Sequence, residues 1–139
     1  MKKKVLLMVL LAVVIGVGCS KKSVGTSDAG LRTIHFDFDK YDIRSDAREV
    51  MAQNAEYLKT NSSVEIQIEG HCDERGSTEY NMALGQRRAN AAKQYLVDLG
   101  VDGSRVTTIS YGEERPVDSD STPSAWSKNR RAEFRVTSK

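Results

Sequence analysis

Beyond Leu31 the apolar residues repeatedly change period between two and about 3.6, and this restricts the fold more than any other feature of the chain. Ile34, Phe36 and Phe38 alternate through Thr33–Phe38, as on one face of a strand that Asp39–Asp42 interrupts. Ala47, Val50, Met51, Asn54 and Leu58 then share one helical face behind Ser45 or Asp46, either of which can cap a helix ending by Asn61. Val64, Ile66 and Ile68 alternate against Glu65, Gln67 and Glu69, and Gly70 is expected to end this second strand. Tyr80, Leu84, Ala91, Tyr95, Leu96 and Leu99 recur along a longer helix capped by Ser77 or Thr78, with Gly100 as its C′ residue. Val106–Tyr111 and Ala132–Val136 alternate as the last two strands, separated by a polar loop over 112–123 and a helical turn over 125–129. Helices that follow strands call for crossover connections and so for some parallel pairing. The order β-α-β-α-β-β thus predicts an α/β sandwich, with two main helices on one face of a small mixed sheet. At 139 residues the chain has room for one domain, and it carries no internal repeat.

The N-terminus is of another kind. Lys2-Lys3-Lys4 precedes an apolar run from Val5 to Val17 that ends in Gly18-Cys19. As a helix this run reaches only about 20 Å, against about 30 Å of bilayer hydrocarbon, so residues 1–18 read as an export signal and not as a membrane span. Cys19, directly after a small residue, resembles the acylated Cys of a bacterial lipobox, although Gly16 stands where an aliphatic residue is usual. The resemblance implies lipidation at Cys19. Ser20, a residue other than Asp, implies sorting to the periplasmic face of the outer membrane. Residues 19–30 then form a lipidated terminus and flexible tether, whose eleven residues past Cys19 extend to about 35–40 Å at most. The globular part is 31–139. Without Lys2, Lys3 and Lys4 the 21 basic residues become 18 against 19 acidic ones, which leaves no basic excess for nucleic-acid binding. Consumption of Cys19 by lipid leaves Cys72 unpaired, and an unpaired thiol in an oxidising compartment is usually buried.

No nucleophile elbow, phosphate-binding loop or dinucleotide fingerprint occurs, so neither an enzyme nor a cofactor is expected. His71-Cys72-Asp73 has the look of a reactive fragment. Adjacent residues of an extended segment point to opposite sides, however, and do not converge on one metal. More promising are Asp73, just past the carboxyl end of the second strand, and Arg88, fifteen positions on along the long helix. An acid and a base facing one pocket can grip a zwitterion, Arg offering a planar fork to a carboxylate and Asp accepting from an ammonium. Asp39 can join the same rim. On spacing alone, an ordinary surface salt bridge between Asp73 and Arg88 is the favoured reading.

These residues sit in runs that closely resemble the OmpA-like peptidoglycan-binding domain, and within it the lipid-anchored members of the Tol–Pal system. The runs are Phe36-Asp37-Phe38-Asp39-Lys40-Tyr41-Asp42-Ile43, Ile68-Glu69-Gly70-His71-Cys72-Asp73-Glu74-Arg75-Gly76, Glu79 to Ala89, Ser110-Tyr111-Gly112-Glu113-Glu114 and Asn129-Arg130-Arg131. The resemblance implies a non-catalytic domain that binds peptidoglycan through meso-diaminopimelate, with Asp73 and Arg88 on its amino and carboxyl groups. It also implies that Phe38, Asp39 and Leu84 line the site, with Arg130 supporting it. TolB and TolA are the implied protein partners, and anchoring the outer membrane to the wall the implied role. Two competing readings are a protein-docking domain whose Asp–Arg pair is structural, and a periplasmic hydrolase using His71 or Cys72.

Overall fold

In the computed structural model, which describes residues 27, 28 and 30–139, the alternating segments pair and the helical ones pack over them. The elements are β1 (Ile34–His35), α1 (Ser45–Thr60), β2 (Glu65–His71), α2 (Thr78–Asp98), a 3-10 turn (Gly103–Arg105), β3 (Val106–Gly112), α3 (Pro123–Asn129) and β4 (Arg131–Ser138). Among the described residues four strands form one sheet in the order β1-β4-β2-β3. β2 and β3 are parallel, with Ile66 beside Val106 and Ile68 beside Thr108, and α2 is their crossover. β4 is antiparallel to both its neighbours, placing Phe134 opposite Ile68 and Ala132 opposite Ile34. One core joins Ile34, Phe36, Ile66, Ile68 and Phe134 of the sheet side to Met51 and Leu58 of α1 and Ala89, Ala92 and Leu96 of α2. The expected α/β sandwich with a mixed sheet is the observed one.

Local differences have physical causes. The strand expected over 33–38 is paired only at Ile34–His35. Its partner β4 begins at Arg131, so after one more bond, Phe36 N–H to the Arg130 carbonyl at 3.0 Å, the ladder has no further partner. Gly70 does not end β2, which runs on to His71 with a register shift between the two residues. Gly70 is there because α2 touches the strand: a Cβ on it would sit 1.7 Å from the Gly85 carbonyl oxygen. Gly85 is constrained less severely: a Cβ there would lie 2.3 Å from Ser110 Oγ, a hydroxyl that can turn, and 2.9 Å from the Gly70 carbonyl oxygen. Neither Ser45 nor Asp46 caps α1. Arg44 holds the N-cap position without a side-chain bond to the helix backbone, and Asp46 in the first turn accepts from its guanidinium at 2.9 Å. Ser77 does cap α2, accepting from Tyr80 N–H at 3.1 Å, and Gly100 follows the helix with φ +97°. Tyr80, counted with the apolar face of α2, stands exposed instead.

The expected signal 1–18, Cys19 and most of the tether lie outside the described residues. Of the tether, Ser27 and Asp28 lie along β4: Ser27 Oγ accepts from Phe134 N–H and Asp28 Oδ2 from Val136 N–H, both at 2.9 Å. No described helix is long and apolar enough to cross a membrane.

Candidate functional site

Where β2 ends, the chain carries Cys72 and Asp73 past the amino-terminal half of α2. The loop after β1 closes the other side. Together they enclose a cavity of about 240 Å³ whose walls include Asp73, Arg88, Leu84, Asp39 and Phe38. The Gly70–Gly85 contact determines this geometry, because it seats α2 on β2 one helical turn before Arg88.

Asp73 is 4% exposed and saturated with donors. Its Oδ1 accepts from the Arg75 backbone N–H at 3.0 Å and from Arg75 Nε at 3.1 Å. Its Oδ2 accepts from Arg75 Nη2 at 2.8 Å and Arg130 Nη1 at 3.5 Å. Burial alone would push this carboxyl up; the bonds from Arg75 and Arg130 outweigh it and hold Asp73 below the usual carboxylate value.

Arg88 is the largest fully buried side chain among the described residues, at 1% exposure. Its Nε donates to the Lys40 carbonyl at 2.8 Å, Nη1 to that of His71 at 2.9 Å and Nη2 to that of Asp37 at 3.1 Å. Those are three of five N–H groups, and Arg88 lines the cavity. Burial lowers its pKa, yet a guanidinium remains a cation at any ordinary pH. Asp73 and Arg88 are therefore not partners in a surface salt bridge. They are separate buried charges of opposite sign on the walls of one cavity, with Arg88 also pinning the β1–α1 loop to the end of β2.

The remaining sequence candidates fall around them. Asp39 adopts φ +56°, a left-handed conformation that Asp tolerates better than most residues, and its carboxylate accepts a hydrogen bond from the Tyr80 hydroxyl. That bond raises the Tyr80 pKa. Phe38 is 56% exposed at the mouth, and Leu84 is buried in the wall. Arg130 does not line the cavity; it holds Asp73 from behind while donating to the Phe36 carbonyl at 2.9 Å.

Cys72 borders the cavity as an inert thiol. Its S–H donates to the Asn81 carbonyl at 3.2 Å, and burial pushes its pKa up to about 11. His71 points to the opposite side of the sheet, where Nε2 meets Glu69 Oε1 at 3.3 Å and Nδ1 has no partner. Glu133 joins them, so three possible metal ligands lie within 4.8 Å of one another, a cluster that the sequence did not suggest. Arg131 at 2.8 Å and Arg135 already occupy both oxygens of Glu133, and Arg135 reaches Glu69 at 3.7 Å. The carboxylates are thereby neutralised by fixed cations, a poor setting for a further one.

Arg75 is the residue that sequence reasoning overlooked. It stands two positions after Asp73 and so on the same side of an extended segment. Its guanidinium lies over the rings of Phe38 and Trp126, 3.9 and 4.2 Å from their centroids. Trp126 Nε1 in turn donates to Glu74 at 2.9 Å.

Comparison with known proteins places this geometry in a family. A sequence description of the OmpA family matches residues 35–130. The chain belongs to the OmpA family. Within it, the chain is 45% identical over 121 residues to a protein of Haemophilus influenzae named peptidoglycan-associated lipoprotein, covering 84% of this chain and 79% of that one. It is 52% identical over 99 residues to a protein of the same name from Mesorhizobium japonicum, covering 71% of this chain and 59% of the other. The crystal structure of the peptidoglycan-associated lipoprotein of Burkholderia pseudomallei superposes with a TM-score of 0.74 at 40% identity, covering 76% of this chain and 90% of that one. The OmpA-family chain thus shares its fold and much of its sequence with proteins whose name denotes a wall-associated lipoprotein and no catalyst.

Proposed function

We propose that the chain is an outer-membrane lipoprotein that binds peptidoglycan non-covalently through the free end of meso-diaminopimelate. One observation carries the reading: Asp73 and Arg88, buried charges of opposite sign, share a single cavity in a chain closely related to peptidoglycan-associated lipoproteins. The far centre of diaminopimelate bears both an ammonium and a carboxylate. Asp73 supplies the acceptor and Arg88 a planar donor with N–H groups to spare, while Leu84 and Phe38 contact the aliphatic chain between the two centres of the ligand. Charge-assisted bonds in a cavity partly shielded from water are stronger than the same bonds in bulk solvent. Lipid at Cys19 holds the domain on the periplasmic face of the outer membrane and so against the wall. A site of modest affinity suffices there, because many copies face one continuous polymer.

Sedimentation of the full chain with purified peptidoglycan tests this. Asp73→Asn, which keeps shape and removes charge, is expected to lose sedimentation while keeping its thermal transition. Free meso-diaminopimelate is expected to release the parent. Undiminished sedimentation of Asp73→Asn would falsify the site assignment.

A second role, docking of Tol proteins such as TolB and TolA in a system serving envelope integrity and division, is supported by the exposed Phe38, Tyr41, Tyr80 and Met82 on segments around the same mouth. Exposed aromatics of this kind are typical anchors of protein interfaces. If this role shares the mouth, TolB and free diaminopimelate compete in a pull-down. Additive binding of both would place the Tol surface elsewhere.

A further inference from the structure

The Asp73 carboxylate offers about four acceptor sites, and four donors fill them: the Arg75 backbone N–H, Arg75 Nε, Arg75 Nη2 and Arg130 Nη1. An arriving ammonium therefore finds no vacant lone pair and has to displace a donor. The backbone N–H is fixed by the chain. Arg130 is only 15% exposed and is tethered by its bond to the Phe36 carbonyl. The Arg75 side chain is 33% exposed and enters from the mouth, so it is the donor that can leave. Its guanidinium lies over the rings of both Phe38 and Trp126, and these cation–π contacts give it a place to rest when its edge is released from Asp73.

We propose that Arg75 is a resident competitor that makes the site selective for a zwitterion over a simple amine. The inference rests on the reading that Asp73 receives the ligand's ammonium. A ligand bearing only an amine exchanges one cation at Asp73 for another and leaves Arg75 without its anion. A ligand bearing an ammonium beside a carboxylate keeps both cations paired: Asp73 takes the ammonium, and the carboxylate that Arg88 receives also meets the freed Arg75 edge, since both arginines line the cavity. The apparent affinity for any amine is lowered by the fraction of time Arg75 covers Asp73, and only the second kind of ligand recovers that loss. Arg75 is a specificity-determining residue in this scheme, and Phe38 and Trp126 position it.

The test is calorimetric titration of the full chain with meso-diaminopimelate and with 1,5-diaminopentane, the same carbon chain without carboxylates. The parent is expected to bind the first and to reject the second. In Arg75→Gln, whose thermal transition is checked first, the ratio of the two affinities is expected to fall roughly tenfold or more, the worth of one charge-assisted hydrogen bond. Diaminopentane should then bind through Asp73 and be lost again in the Asp73→Asn, Arg75→Gln double variant. Arg75→Lys keeps the charge without the planar fork and is expected to fall between the two. A ratio unchanged in Arg75→Gln overturns the inference while leaving the Asp73 site intact. Absence of diaminopimelate binding by the parent, or its persistence in Asp73→Asn, overturns the underlying reading instead. If Arg75→Gln does not fold, Trp126→Leu, which removes one wall of the slot, serves in its place with the same expected direction.

Discussion

His71 shows how a single buried residue couples this domain to pH. His71 is 1% exposed, feels the charges of Glu69, Arg131 and Glu133, and its ring lies tilted 5.5 Å from that of Tyr111. Burial, opposed by the bond to Glu69, lowers its pKa below 6.5. A histidine whose folded value is depressed is protonated first in the unfolded chain. Stability is therefore complete above pH 6.5 and declines as pH falls from there toward the folded value, by at most about 1.4 kcal/mol per pH unit for one proton. The thermal midpoint is expected to drop between pH 7 and pH 5, with a shallower slope in His71→Phe. His35 on β1, exposed but partly desolvated beside Arg131 and Arg44, is depressed as well and supplies a smaller share. Asp73 adds a second loss of the same sign at lower pH, below the ordinary 3.8, because its folded value is depressed and its ion pairs fail on protonation. Cys72 provides a separate check. With a pKa near 11 and a buried thiol, it should resist iodoacetamide at pH 8 in the folded protein and react on unfolding. Rapid alkylation of the folded chain would contradict the packing described for it.

At the scale of elements, the contact of α2 with β2 is the feature on which the site depends. Gly70→Ala places a methyl 1.7 Å from a backbone oxygen that cannot swing aside. The helix must move, at a cost on the order of 1–3 kcal/mol. Because Arg88 lies three residues beyond Gly85, ligand binding should fall further than stability does; a variant that melts early yet binds normally would argue against this coupling. Ser77→Ala, which removes the α2 cap, is expected to cost about 1 kcal/mol in urea unfolding and to leave the cavity unchanged. These elements were also the most legible in the sequence. The α2 limits, its Ser77 cap and Gly100 could be read because the local chain alone determines them. The short β1 could not, since its length depends on where β4 begins, and Gly70 was mistaken for a strand end because a bare backbone has the same signature whether the chain turns or another helix approaches. Asp73 and Arg88 could be placed on one pocket from the order of elements. That they are both buried, and paired with other residues, follows from tertiary packing that spacing does not encode. Arg75 escaped notice for the same reason: its aromatic slot is closed by Trp126, 51 positions away in sequence.

Over the whole molecule, the N-terminal segment and the domain rely on different physics. The domain contributes a small charged cavity, and a lipid on Cys19 would contribute durable attachment, several acyl chains holding where one would not. The two functions are separable. Cys19→Ser is expected to leave diaminopimelate affinity unchanged and to abolish the bridging of wall fragments to membrane vesicles, read by flotation. Ligand binding in the cavity is read most directly by a titration of the isotopically labelled protein with free meso-diaminopimelate, followed in its backbone amide spectrum. Saturable shifts are expected at Asp73, Leu84 and Arg88 and in the Phe38–Asp39 loop, with none at Glu133 on the far face of the sheet, and all of them should vanish in Asp73→Asn. Shifts centred away from the cavity, or a folded Asp73→Asn that responds like the parent, would contradict it.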